Sequence, residues 1–160
     1  SLIFLSNILT LLYLFVFVYC SYNIYSSPPN LLIFTLLVCI FSDTGGYVIG
    51  KTVGGKKLTK ISPNKTISGS IGSFVFSLIP AIIFLNFDNS LDYFFVIFST
   101  LAMSFICQCG DLLISIFKRV AKVKDTGSIL PGHGGLLDRI DGILFVIPLT
   151  YYFHKLYIIS

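Results

Sequence analysis

From Gly110 to Gly142 the chain reads GDLLISIFKRVAKVKDTGSILPGHGGLLDRIDG, a stretch crowded with residues that can work on phosphates. Asp111, Asp125, Asp138 and Asp141 are four of the seven acidic residues in the whole sequence. Lys118, Arg119, Lys122, Lys124 and Arg139 stand among them, with His133, one of only two histidines. On a helix that continues through Arg119, Asp111, Ser115 and Lys118 fall at i, i+4 and i+7, on one face of an otherwise apolar surface. Polar groups along one stripe at the end of a membrane span read as the wall of a hydrated cavity. Leu130 to Gly135, LeuProGlyHisGlyGly, is too rich in Gly and Pro to be helical. Asp138 and Asp141, three apart, share a face if the last helix has begun there. Asp111, Asp138 and Asp141 form an all-oxygen, hard-ligand set. It suits Mg²⁺, which takes one or two carboxylates and leaves its other positions to water and substrate phosphates. Carboxylates for a metal among Lys and Arg for phosphate charge is the recurring recipe for phosphoryl or nucleotidyl transfer.

A second polar stretch, SDTGGYVIGKTVGGKKLTKISPNKTISGSIG, runs from Ser42 to Gly72. Asp43 follows an unbroken apolar run, where a membrane helix should still be in lipid. A central Asp costs about 2.5–3.5 kcal/mol on insertion scales, so it is a functional-site hypothesis by default. Gly45, Gly46, Gly50, Gly54, Gly55 and Gly69 interleave with Lys51, Lys56, Lys57, Lys60 and Lys65. That composition suits backbone N–H groups and ammonium charge wrapped around phosphates. It equally suits a solvated basic loop touching anionic headgroups. Asp43 favours the first reading, because headgroup binding needs no acid there.

The elements that must position these residues are helices in a membrane. The chain is 55% hydrophobic and 11% charged, with a mean hydropathy of +0.90, against roughly 25% charged in soluble domains. The expected fold is all-α and polytopic, with spans at roughly 2–22, 31–50, 70–87, 91–117 and 142–159, each near the length a bilayer requires. Pro80, inside the third, is tolerable where neighbouring helices satisfy the freed carbonyl. Ten of the eleven cations fall in the second-to-third and fourth-to-fifth connections, which five spans place on one side. The positive-inside rule makes that side the cytoplasm. Asp88 and Asp92 then lie in an outward loop as solvated residues, and His154 is interfacial. Cys107 and Cys109 form C-x-C with no second pair, so the four cysteines read as small buried residues and not as a zinc site. The chain begins at Ser1, at the edge of an apolar run. It is expected to be the C-terminal part of one longer membrane domain, 1–160, with further N-terminal helices outside it.

The residues also carry a resemblance. Ser115–Lys118–Arg119, Lys124–Asp125, LeuProGlyHisGlyGly (130–135) and AspArgIleAsp (138–141), preceded by Gly110–Asp111–Leu112, resemble the signature of the phosphatidate cytidylyltransferases, or CDP-diacylglycerol synthases. SerAspThrGlyGlyTyr (42–47), Gly50–Lys51 and SerProAsnLysThr (62–66) resemble the same family's second conserved region. The resemblance covers about residues 42–142. Asn64, Ile67 and Ser68 stand where members of the family usually have a cation, an aromatic residue and an acid.

The resemblance implies CMP transfer from CTP to phosphatidate, giving CDP-diacylglycerol and pyrophosphate. It implies Mg²⁺, with room for a second divalent or an additional monovalent ion. By it, Asp111 and Asp138 hold metal and Asp141 supports them. Lys118, Arg119 and Lys124 neutralise phosphates, while Ser115, Asp125 and His133 orient the substrates. Arg139 joins this group or pairs with a neighbouring Asp. Asp43, Gly45, Lys51, Lys57, Ser62, Lys65, Thr66, Gly134 and Gly135 complete the nucleotide pocket. The partners are CTP, phosphatidate and the bilayer, not nucleic acid, and a homodimer stays open. A bacterial inner membrane is the expected setting, with the site facing the cytoplasm; an organellar or endoplasmic-reticulum membrane is the alternative. A CTP-dependent lipid or polyprenol kinase would use the same parts on the γ-phosphoryl group. A transporter or ion pathway lined by intramembrane Asp and Lys is the rival from another class.

Overall fold

Lipid offers the backbone no hydrogen-bond partner, so a spanning segment must satisfy its own N–H and C=O groups, and a helix does so. The computed structural model describes residues 2–26, 30–59, 62, 65–87, 92–123 and 137–159, and for 2–7, 9, 137–139 and 159 the backbone alone. It contains five helices: α1 (Leu2–Ser26), α2 (Asn30–Thr52), α3 (Ile67–Phe87), α4 (Tyr93–Val120) and α5 (Leu137–Ile159). Among the described residues, α2, α3 and α4 are long and apolar enough to cross a membrane, and Thr10–Ser26 is a shorter apolar helix. The chain is an all-α, polytopic membrane protein. Three of the five expected spans meet that measure by length and composition, while α5 carries Asp138, Arg139 and Asp141 in its first turns.

Two helix boundaries differ from expectation in ways that matter. The second helix runs through Lys51 to Thr52, and the third begins at Ile67, so Gly69 is helical, as are Gly45, Gly46 and Gly50 within the expected second span. They are packing positions. A Cβ on Gly45 would lie 2.5 Å from the Gly72 carbonyl oxygen, and one on Gly69 2.7 Å from the Gly46 carbonyl oxygen. With no side chain between them, the halves of α2 and α3 nearer their connecting loop approach backbone to backbone, as small residues allow in membranes.

The same device joins α4 to α5. A Cβ on Gly110 would meet the Phe145 ring at 2.5 Å, and one on Gly142 would meet Cys107 Sγ at 2.5 Å. Farther from the carboxylates, Phe34, Val38, Ala81, Leu85, Val96, Met103 and Val146 form the shared core of α2–α5. Interhelical hydroxyl contacts add to it: Ser42 Oγ to Ser104 Oγ at 2.9 Å, and Thr35 Oγ1 donating to Thr150 Oγ1 at 3.3 Å. The first helix packs on α5 through Tyr13, whose hydroxyl donates to the Leu144 carbonyl at 2.8 Å. Outward faces carry large apolar side chains, Phe15, Ile82, Phe94 and Phe117 among them, as lipid contact requires. Cys20, Cys39 and Cys107 are buried and Cys109 half-buried, all as free thiols. Asp92, expected to be a plain loop residue, caps α4 by accepting from the Phe94 N–H at 2.9 Å.

Candidate active site

The connection from α2 to α3 folds back on itself. Gly54 and Gly55 take positive φ, 64° and 112°, which turns the chain sharply after α2. Lys57 and Thr66 then pair as an antiparallel bridge, with the Leu58 N–H donating to the Lys65 carbonyl at 2.8 Å. Thr66 Oγ1 accepts from the Gly69 N–H at 3.0 Å, closing the first turn of α3. This places Lys65 over the second half of α4, where its ammonium pairs with the Asp111 carboxylate. Loop and helix are thereby joined through opposite charges.

Asp111 has carboxylate neighbours. Because α4 and α5 touch at Gly110 and Gly142, Asp141 comes close to Asp111, and the Asp43 carboxylate on α2 acts electrostatically on both. Asp141 Oδ1 also accepts from the Gly142 N–H at 2.8 Å. Carboxylates held this close repel unless a positive charge shares the space, and Lys65 supplies only one. Among the described residues no group of three His, Cys, Asp or Glu forms a ready metal cage. The donor set nonetheless fits Mg²⁺, since that ion needs one or two carboxylate oxygens and takes the rest from water and phosphate. Asp111 and Asp141 would provide them.

A cavity of about 290 Å³ opens beside this cluster between α2, α3, α4 and the loop. Its walls include Asp43, Ser62, Lys65, Thr66 and Asp111 from the sequence-derived set, and Tyr47, Ser70, Ser73 and Gln108 besides. Ser70 Oγ donates to Gln108 Oε1 at 2.5 Å. Gln108 carried a legible signal, a polar amide one turn before Asp111 in a greasy helix. A larger cavity of about 980 Å³ lies toward the opposite ends of the helices, lined by Phe34, Phe84, Phe95 and Phe153 with His154. Among the described residues no Asp, Glu, Lys or Arg lines it, so size and chemistry point to different places, and the smaller cavity has the chemistry.

Other expected site residues lie at varying distances from this centre. Ser115 and Lys118 are half-buried on α4 beyond Asp111, with Arg119 exposed next to them. Lys51 is exposed, its ammonium 3.4 Å from the Tyr47 hydroxyl and over that ring at 5.6 Å. Lys57 is exposed on the folded-back loop, and Gly45 faces α3, not the cavity. Asp138 and Arg139 begin α5, where backbone alone is described; Lys124, Asp125, His133, Gly134 and Gly135 lie outside the described residues.

Residues 2–157 match the model of the Cytidylyltransferase family. The chain is 46% identical over 126 residues to the phosphatidate cytidylyltransferase of Staphylococcus haemolyticus, covering 78% of this chain and 48% of that protein. It is 46% identical over 128 residues to the protein of the same name in Bacillus subtilis, again 78% and 48% of the two chains. For that of Staphylococcus aureus strain COL the identity is 45% over 130 residues, 80% and 50%. The chain spans about half the length of these curated relatives. With the match running from α1 almost to the end of α5, the chain belongs to the Cytidylyltransferase family.

Proposed function

We propose that this chain carries the phosphate-handling centre of a phosphatidate cytidylyltransferase, which transfers CMP from CTP to phosphatidate in the making of phospholipids. The observation that carries the reading is the convergence of Asp111, Asp141 and Lys65 at one end of a bundle whose relatives bear that name.

In the reaction a phosphatidate phosphate oxygen attacks the α-phosphorus of CTP. A new P–O bond forms, the bond to the α,β-bridging oxygen breaks, and its electron pair leaves with pyrophosphate. A phosphate monoester is already largely ionised at neutral pH, so no strong base is needed. Mutual repulsion of two polyanions is the main obstacle, and cancelling it while aligning the reactants is most of the catalysis. Lys65 is positioned for this by its pairing with Asp111, and Lys118 and Arg119 extend the positive field along α4. Asp111 and Asp141 would hold Mg²⁺, with Asp138 one turn away on α5. When bound, it screens charge on the attacking and leaving oxygens. The apolar outer helix faces let the acyl chains stay in lipid while the headgroup reaches the cavity. The basic connections support a site on the cytoplasmic face of a bacterial inner membrane, by the positive-inside rule.

The test is CTP labelled at the α-phosphorus, given to the purified chain with phosphatidate and Mg²⁺. Label is expected in the lipid fraction, and chelating the metal should abolish it. Label passing to lipid only from the γ-position would replace this reading with a kinase.

A further inference from the structure

Gln108 leaves one polar atom unmet. Its Oε1 accepts from Ser70, which fixes the plane of the amide, while its Nε2 is buried with no hydrogen-bond partner among the described residues. Native structures seldom leave such a donor unanswered, and the residue that bears it belongs to the wall of a cavity. Gln108 sits three residues before Asp111, about 4.5 Å deeper along the helix axis.

Asp43, which only accepts when ionised, lines the same cavity at the same level. Cys107, the chain neighbour of Gln108, has its Sγ 3.8 Å from Asp43 Oδ1. The deep end of the cavity therefore presents an acceptor and a free donor together. A phosphate does not belong beside Asp43, because like charges repel. A lipid ester does not answer the pair either, since it offers acceptors alone. A flat, uncharged edge with one donor beside one acceptor does. Cytosine has that edge: an N4 amino group that donates, next to N3 and O2, which accept. Uracil carries an accepting O4 in place of the amino group, and that oxygen would face the Asp43 carboxylate.

Building on the reading of the cavity as a CTP site, we infer that Asp43 and Gln108 select the base. Asp43 accepts from the cytosine amino group, Gln108 Nε2 donates to N3, which in uracil is itself a donor, and Ser70 positions the amide. A site built to hydrogen-bond one edge rejects the other because its own polar groups are left unpaired.

Equilibrium binding of CTP and UTP to the purified chain in detergent with Mg²⁺, run beside CDP-lipid turnover, tests this. The unmodified chain should prefer CTP. Gln108→Met, close in shape but without a donor, should cut the CTP-to-UTP ratio about tenfold or more by weakening CTP. Asp43→Asn, which can donate to O4, should cut it by strengthening UTP, and Ser70→Ala should do so less severely. A purely structural role for these residues would weaken both nucleotides alike. An unmodified chain without preference, or variants that keep the ratio, would overturn the inference. So would a Gln108→Met variant that raises the KM for phosphatidate and leaves base choice intact. A chain that prefers CTP yet makes no CDP-lipid would sink the proposed reaction and leave the base reading standing.

Discussion

Asp111 is where the separate parts of the site meet. It pairs with Lys65 from the loop, lies close to Asp141 from α5 and feels Asp43 from α2. Asp111→Asn keeps the shape and removes the charge, so it leaves Lys65 without its partner and Asp141 as the one described carboxylate in contact range. Turnover should fall about a hundredfold or more, the scale seen when one aligned electrostatic group is lost, and the Mg²⁺ requirement should move to higher concentration. A properly inserted variant with wild-type turnover and an unmoved Mg²⁺ dependence would show that Asp111 holds no metal. Ser68 is instructive at the same scale. It stands where the family usually has an acid, and its hydroxyl donates to the Gly54 carbonyl and meets Thr66 Oγ1 at 3.0 Å. Here it fastens the turn after α2, a structural use that the substitution alone does not reveal.

Helices make that convergence possible, and glycine sets their spacing. A Cβ on Gly72 would lie 2.5 Å from Ile49 Cβ and 2.7 Å from the Gly45 carbonyl oxygen, neither of which can swing aside. Gly72→Val should therefore force α2 and α3 apart, costing about 1–3 kcal/mol as overpacking does, and carry Asp43 away from Lys65 and Gln108. A lower melting temperature in detergent together with lost turnover is the expected pair of results; an unchanged melting temperature would contradict the contact. The apolar runs made all five helices legible, and the stripe Asp111, Ser115, Lys118 followed from helical spacing once α4 reached Val120. What the glycines do was not legible. Mixed with lysines, they looked like a phosphate-wrapping loop, because one sequence does not say which face of a helix meets which neighbour. Only Gly54 and Gly55 have the left-handed backbone of a turn. Gln108 was overlooked for a related reason: a single amide in a greasy helix announces cost, but not the Ser70 hydroxyl that shares it.

Across the whole bundle, the helix contacts and the charge distribution imply one topology. Tyr13 meets Leu144 and Tyr19 meets Tyr151, so α1 and α5 run parallel, as the first and last of five alternating spans must. Ser70 at the start of α3 meets Gln108 in the second half of α4, and Phe84 and Phe87 late in α3 share a cavity wall with Phe95 and Val96 early in α4, so those two run antiparallel. The ends of α2 and α4 that carry Lys51, Lys118 and Arg119 therefore share a side with the loop bearing Lys56, Lys57 and Lys65. That side is the one proposed to face the cytoplasm, by the positive-inside rule. A single cysteine introduced at Lys56 or Arg119, both exposed, should react with a membrane-impermeant maleimide only when the inner face of the membrane is open to it. One at Phe87, exposed at the other end of α3, should react from outside in intact cells. The buried native thiols Cys20, Cys39 and Cys107 should stay silent, and Cys109, half-buried, is best replaced by Ser first. Labelling of the Lys56 and Phe87 positions from the same side would break the alternation of α3 and remove the basis for assigning Asp111 and Lys65 to the cytoplasmic face.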